Sequence, residues 1–184
     1  MLEQHHKHYD WSNLITQDDR QLLVKDINTL IEKGQYWENS PKFQTNINIF
    51  GHPGPHWSKL KMAFIWSVFA YLGKEVQIKK VGSWGVQTSL KHVEDPDILW
   101  HQHAVSNNET ISGVFYLEIP DDVNDLESAG TEMAPDGPLS EQDSKYYAEW
   151  KTANWMIYPG KIYHRPGKLQ SFDNRFVVAA DLDF

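Results

Sequence analysis

Apolar residues in the first seventy positions recur at helical spacing, and after Gly73 the pattern changes to short β-branched and aromatic runs. In residues 16–33, TQDDRQLLVKDINTLIEK, the side chains of Leu23, Ile27, Leu30 and Ile31 fall on one face of a helix. Thr16 stands three residues before Asp19, the spacing of a capping box, and Gly34 supplies the stop. A second helix is predicted over residues 56–72, where Leu60, Phe64, Val68 and Leu72 repeat every fourth residue and Gly73 follows. A polar, Asn-rich stretch with a GHPGP turn separates the two.

Beyond Gly73, runs rich in Val, Ile, Tyr, Phe and Trp alternate with Gly, Pro, Asn and Asp, the pattern of antiparallel β-structure. Strands are predicted at residues 75–81, 84–90, 111–119, 154–158 and 175–182. Residues 120–151 are polar and turn-rich; 140–150 reads as a short helix, although KYYAEW equally suits a strand. There is no internal repeat. The pattern predicts a mainly β fold with two flanking helices, in one domain over 1–184: a helical support region, 1–73, and a β core, 74–184.

Composition narrows the function. A chain of 184 residues has room for one sizeable core, and a net charge of −8 without a Lys/Arg cluster argues against a nucleic-acid partner. Zero cysteines exclude disulfides and thiolate chemistry, so a metal would have to use His, Asp or Glu. The most apolar run, AFIWSVFAYL, is too short to span a bilayer and lies between Lys61 and Lys74, so it predicts a core helix and no membrane association. The start, MLEQHHKHYD, lacks the features of a secretory signal, and a cytoplasmic location is expected. His5, His6 and His8 read as a solvated tail. Abundant Trp, Tyr and Phe suit an aromatic core or an aromatic-lined pocket equally well.

The candidate chemistry starts at Trp100, in WHQHAVSNNETISGVFYL. In an extended chain, residues two apart point the same way, so His101 and His103 can present both imidazoles to one ion. With nine histidines in the chain, that pair alone is weak evidence. A third, His164, follows a strand and a Pro-Gly turn, and Arg175 opens the last apolar strand eleven residues later.

In this order and spacing the sequence resembles the non-haem Fe(II)- and 2-oxoglutarate-dependent oxygenases. It looks closest to their prolyl-hydroxylase-like branch, which has small uncharacterised relatives in phages and bacteria. The resemblance runs from about Trp84 to Phe184. The family's His-x-Asp pair precedes a strand ending in Tyr-Tyr-Leu or similar, as His101 and His103 precede Phe115, Tyr116 and Leu117. Ala129, Gly130 and Thr131 look like its Gly-Gly-x-Thr turn, and Tyr158, Pro159 and His164 match its distal histidine. Arg175 matches the arginine that completes the pattern.

The resemblance implies a double-stranded β-helix, a cupin-like jelly-roll with the metal in its mouth. It implies an Fe(II) site at His101, His103 and His164, with 2-oxoglutarate as cosubstrate. Arg175 would hold the distal carboxylate through paired guanidinium donors. Tyr116, which shares a strand face with Ser112 and Val114, would give the cosubstrate a hydrogen bond. The implied reaction is hydroxylation of an unidentified small-molecule or peptidyl substrate, such as a peptidyl or free amino-acid side chain. O2 is consumed, and succinate and CO2 are the coproducts. The phage relatives suit a protein working in a host cytoplasm.

His103 stands where the family usually has a carboxylate, and three neutral imidazoles leave the full charge on the ion. The preferred expectation is a three-histidine iron centre that still uses 2-oxoglutarate. The others are a carboxylate, Glu109 or Glu132, in place of His103, and a centre of different chemistry. Trp84, Gln87 and Trp100 are further pocket-lining candidates, and Asp173 or Asp181 could pair with Arg175 in a purely structural role. His52, His56 and His92 fit no site. The competing functions are a cupin-like three-histidine metalloenzyme, a zinc hydrolase or lyase, and a jelly-roll binding or structural module.

Overall fold

The computed structural model describes residues 5–37, 43–89, 100–103, 109–138 and 145–184. Both helices form where the periodicity places them. Helix α1 spans Gln17–Glu32; the Thr16 side chain accepts from the Asp19 amide and the Asp19 carboxylate accepts from the Thr16 amide, completing the capping box. Gly34 follows in the left-handed region, φ 73°. Helix α2 spans Pro55–Leu72 and stops at Gly73, also left-handed. Among the described residues, no helix is long and apolar enough to cross a membrane.

Among the described residues, nine strands make two antiparallel sheets. In chain order they are β1 Lys7–Asp10, β2 Phe43–Gln44, β3 Lys80–Thr88, β4 Thr110–Glu118, β5 Thr131–Ala134, β6 Tyr146–Ala148, β7 Asn154–Pro159, β8 Tyr163–Pro166 and β9 Arg175–Asp183. A one-turn helix, α3, covers Leu126–Ala129 just before β5. The major sheet runs β1-β7-β4-β9-β3-β2 and the minor sheet β6-β5-β8. The two sheets face each other across a cavity, and the helices back the major sheet, giving the double-stranded β-helix that the resemblance implies.

Alternation sorts the major-sheet side chains into two cores. Ile111, Phe115 and Leu117 of β4, Trp155 and Ile157 of β7, and Phe176, Val178, Ala180 and Leu182 of β9 pack under the helices. There Phe64 of α2 sits against Trp155, ring centroids 4.8 Å apart, and Trp155 against Phe115 at 5.3 Å. The opposite face, with Val114, Tyr116, Met156 and Tyr158, meets Met133 and Ala148 of the minor sheet. Both faces of β4 and β9 are therefore buried, which accounts for their nearly unbroken apolar runs.

Several expectations are corrected. Residues 75–81 and 84–90 do not make two strands. One strand, β3, covers Lys80–Thr88 because β9 offers a continuous partner only from Asp183 to Arg175; Leu90 lies outside the described residues. Within 140–150, Tyr146–Ala148 is the strand β6, paired with β5; residues 140–144 lie outside the description. The N-terminal histidines are not a solvated tail. Lys7–Asp10 pairs with β7 at the sheet edge, His6 is buried, and its Nδ1 lies 3.2 Å from the Tyr146 hydroxyl. In the polar segment that follows β4, the acids of residues 120–127 face solvent while Val123 is buried.

Candidate metal centre

The short segment 100–103 is held by backbone hydrogen bonds to β8 and the turn before it. His101 and His164 exchange amide-to-carbonyl bonds of 3.2 and 2.9 Å, and the His103 amide donates to the Gly160 carbonyl at 2.8 Å. This pairing lays the His-x-His segment beside β8, so period-two alternation turns His101 and His103 toward His164. One ring nitrogen from each of the three lies within 4.8 Å of the others. Their ring centroids are 4.4 to 5.2 Å apart.

Two of the rings are oriented from behind. His164 Nδ1 lies 2.9 Å from the Ile162 carbonyl, which can only accept, so Nδ1 carries the proton and the ring presents Nε2. His103 Nδ1 lies 2.7 Å from Asp181 Oδ1, which also accepts from Ser112 Oγ at 2.7 Å. Outer acceptors on the far nitrogen are the usual means of fixing ring and tautomer in histidine metal sites. Converging imidazoles without thiolate suit a divalent transition metal such as iron, nickel or zinc. The site therefore fits the ion implied by the sequence.

The rings open on a cavity of about 150 Å³ between the sheets, lined mainly by apolar side chains including Val86, Val114, Val177 and Ala179. Tyr116 and Arg175 line the same cavity. Arg175 is 3 % exposed. Its Nη1 donates to the carbonyls of Ser128 and Ala129 at 3.2 and 3.1 Å, and its Nε has no partner among the described residues. Burial pulls its pKa below the ordinary guanidinium value, with Tyr116 opposing. Among the described residues no carboxylate pairs with it: Asp181 is committed to His103 and Ser112, and Asp173 is not an ion-pair partner. The structural ion pair is thus excluded for the described residues, and an unneutralised buried cation calls for an anion from outside.

Tyr116 places its hydroxyl 2.7 Å from Thr131 Oγ1. Burial raises its pKa, partly offset by that hydrogen bond and by the charge of Arg175. Tyr158, stacked edge-on to His164 at 4.9 Å, is pushed well above the usual phenol range by burial and then by the Asp181 charge. Gly130 holds the turn before β5: a Cβ there would lie 2.6 Å from the Ala148 carbonyl oxygen and 2.7 Å from that of Leu126, so backbone excludes any side chain.

The carboxylate substitutes are not in the cluster. Glu132 bonds Arg165 Nε at 2.6 Å, on the face of β5 opposite Thr131, and Glu109 is exposed and outside the histidine group. Of the further pocket candidates, Trp84 lines the cavity, with its ring 5.3 Å from that of His103. Gln87 does not: it lies three residues along the same strand, on the other face, and donates to Asn28 of α1 at 2.9 Å. Trp100 carries the Arg165 guanidinium over its ring at 4.6 Å. His52 and His56 gather around Asp26, away from the cavity, and His92 lies outside the described residues. Asp181 escaped the sequence reading as a site residue, and Thr131 entered it only as part of the turn motif. The signal for Asp181 was the alternation of β9, which carries Arg175, Val177, Ala179 and Asp181 on one face.

No protein-family model and no curated protein matches the chain. Solved structures do. A prolyl-4-hydroxylase from Pseudomonas putida is similar with a TM-score of 0.63 at 8 % identity, over 97 % of this chain and 92 % of that one. The non-haem α-ketoglutarate-dependent carbocyclase SnoK of nogalamycin biosynthesis is similar with a TM-score of 0.69 at 11 % identity, over 98 % and 80 %. HygX from Streptomyces hygroscopicus, with nickel and 2-oxoglutarate bound, gives 0.64 at 8 %, over 97 % and 82 %. The fold of this chain is the one these oxygenases share, including the prolyl-hydroxylase-like branch expected from the sequence.

Proposed function

We propose that this chain, built on the fold of the 2-oxoglutarate oxygenases, is an Fe(II)- and 2-oxoglutarate-dependent dioxygenase that hydroxylates its substrate. The observation that carries the reading is the juxtaposition in one cavity of three converging imidazoles and a buried guanidinium that has no counter-ion among the described residues. His101, His103 and His164 would hold the iron. Bound together, iron and the keto acid supply O2 activation coupled to oxidative decarboxylation, yielding succinate, CO2 and a hydroxylated carbon.

The remaining work belongs to the protein. Arg175, aimed by the Ser128 and Ala129 carbonyls, binds the distal carboxylate, which neutralises its buried charge. Tyr116, braced by Thr131, donates its hydroxyl hydrogen to the same carboxylate. Val86, Val114, Val177 and Ala179 keep water from the reacting centre, and Trp84 forms a wall beside His103. A cupin-like reading explains the histidines equally well but leaves Arg175 without a purpose. The prolyl-hydroxylase likeness points to a peptidyl or free amino-acid side chain as substrate.

The test is an anaerobic titration of the Fe(II)-loaded protein with 2-oxoglutarate, followed through the visible charge-transfer band of a chelated keto acid. A saturable band that weakens in Arg175→Ala supports the reading. Bound iron with no band removes it in favour of a cupin-like or zinc centre, and failure of the protein to bind metal removes every metalloenzyme reading.

A further inference from the structure

We propose that Asp181 is a positioning residue of the metal centre, acting through His103 to supply the negative charge and the ring orientation that a set of three neutral imidazoles lacks. The inference rests on the oxygenase reading only in taking His101, His103 and His164 as metal ligands.

Asp181 occupies an unusual place for a carboxylate. It lies on a central strand, on the inward face that also carries Arg175, Val177 and Ala179, and its lateral neighbours are Gly82 on β3 and Ser112 on β4. Neither neighbour can neutralise it. Gly82 offers no side chain, and a Cβ built there meets nothing within 4 Å, so the space above that strand is left open. Ser112 donates a single neutral hydrogen bond. Among the described residues no lysine or arginine pairs with Asp181, and its carboxylate lies 2.7 Å from Nδ1 of His103. Asp181 is half-buried, with its carboxylate set against the His103 ring and the Ser112 hydroxyl, and a cation behind the imidazole would strengthen that pairing.

The contrast with His164 sharpens the assignment. His164 is oriented by a neutral backbone carbonyl, whereas His103 is oriented by a charged side chain that is itself steered by Ser112. Accepting from Nδ1–H fixes the tautomer in which Nε2 carries the lone pair, raises the basicity of that nitrogen and stops the ring from turning. Placing one negative charge on the outer side of one ligand offsets part of the charge of a divalent ion without using a coordination position. Loss of such a partner typically lowers metal affinity by about 10- to 100-fold.

The experiment measures Co(II) affinity of the full-length apoprotein by competition with a chelating dye, together with the visible absorption of the Co(II) form. The variants are Asp181→Asn, Asp183→Asn, His103→Asp and the His103→Asp/Asp181→Asn pair, each checked for folding by circular dichroism. Asp183 is the control: it is a buried carboxylate on the same strand, bonded to Thr110 and not to a histidine. Expected is a loss of about 10- to 100-fold in Asp181→Asn with an altered Co(II) spectrum, and little change in Asp183→Asn. In the His103→Asp background the sign reverses. There two carboxylates face one another, so Asp181→Asn leaves affinity unchanged or improves it, which loss of structural support alone would not do. Should Asp181→Asn fail to fold on its own, the comparison within the His103→Asp background decides.

Wild-type Co(II) binding with unchanged affinity and spectrum in Asp181→Asn would overturn this inference and leave the oxygenase reading standing. Equal losses in Asp181→Asn and Asp183→Asn, or the same loss in both backgrounds, would overturn it as well. A wild-type protein that binds no Co(II) would remove both.

Discussion

The hydroxyl of Tyr116 on the major sheet lies 2.7 Å from Oγ1 of Thr131 on the minor sheet, a buried bond that closes the cavity at the Arg175 end. Two residues fifteen apart in sequence thus tie the sheets together where the distal carboxylate of a cosubstrate would sit. Tyr116→Phe keeps the ring and its packing but leaves Thr131 without that partner. A buried hydrogen bond is worth about 1 kcal/mol net. The variant is expected to melt slightly lower and to bind 2-oxoglutarate several-fold more weakly, with Fe(II) affinity unchanged. Parallel titrations with metal and with keto acid check this; equal weakening of both would place Tyr116 in general support of the cavity.

Arg175 predicts a thermal signature. A ligand at 100 times its Kd stabilises the native state by about 2.7 kcal/mol. For a chain of this size each kcal/mol is worth roughly 2–4 °C in Tm. Metal-loaded wild type should therefore gain several degrees on saturation with 2-oxoglutarate under anaerobic conditions. Arg175→Met removes the guanidinium while keeping an unbranched apolar stem, so the ligand-induced shift should vanish while the shift produced by the metal alone remains. A persistent 2-oxoglutarate shift in that variant would assign the distal carboxylate to another group.

What the sequence made legible was whatever carried a strong period. Leu23, Ile27 and Leu30 in α1, and Leu60, Phe64 and Val68 in α2, report the buried faces of the helices directly. The long strands β4 and β9 were legible because both of their faces are buried. Strands β1, β2, β5 and β8 were not: each has two to four residues, too few for alternation to stand out, and β1 is rich in His and Lys. Local sequence cannot say that Lys7–Asp10 finds an open sheet edge beside β7. The site followed the same rule. His101 and His103 were visible as a pair at strand spacing, while the bond from His103 to Asp181 spans 78 residues and depends on strand order. Gln87 was assigned to the pocket although it stands an odd number of residues from Trp84, and period two places it on the other face.

Stability should fall on mild acidification because of the N-terminal strand. Both ring nitrogens of His8 are shut off from solvent and have no hydrogen-bond partner among the described residues, and burial, followed by the charges of His6 and Lys151, lowers its pKa to about 4. His6 is lowered in the same direction, also chiefly by burial. In the unfolded chain a histidine titrates near 6.5. Between about 6.5 and 4 the unfolded state binds more protons than the native one, so this contribution is whole above about pH 6.5 and declines as pH falls toward 4. Below that, both states are protonated and the loss levels off. Melting temperatures from pH 7.5 to 4.5 should drop less steeply in His8→Leu than in wild type; parallel curves would show that His8 is not the group responsible.

Gly113 of β4 lies against the ring of Phe64 from α2, and it allows a test of how the helices brace the site. A Cβ at Gly113 would meet Phe64 Cε2 and Ile157 Cδ1 at 2.9 Å and Trp155 Cε3 at 3.0 Å. The atoms in the way belong to side chains of a fully buried cluster that has no room to give. Gly113→Ala should therefore cost about 1–3 kcal/mol, the usual penalty for overpacking. Phe64→Leu removes ring atoms where the new methyl would go, and on its own it leaves a cavity beside Trp155. The two defects fill one another, so the double variant should be more stable than the sum of the single losses predicts, with a coupling of roughly 0.5–3 kcal/mol. Urea unfolding of the four proteins in the cycle measures it. Strict additivity would mean that the backbone of β4 shifts away from the helix instead. In that case Ser112, the next residue on the same strand, would move with it, and Co(II) affinity would fall in Gly113→Ala together with stability.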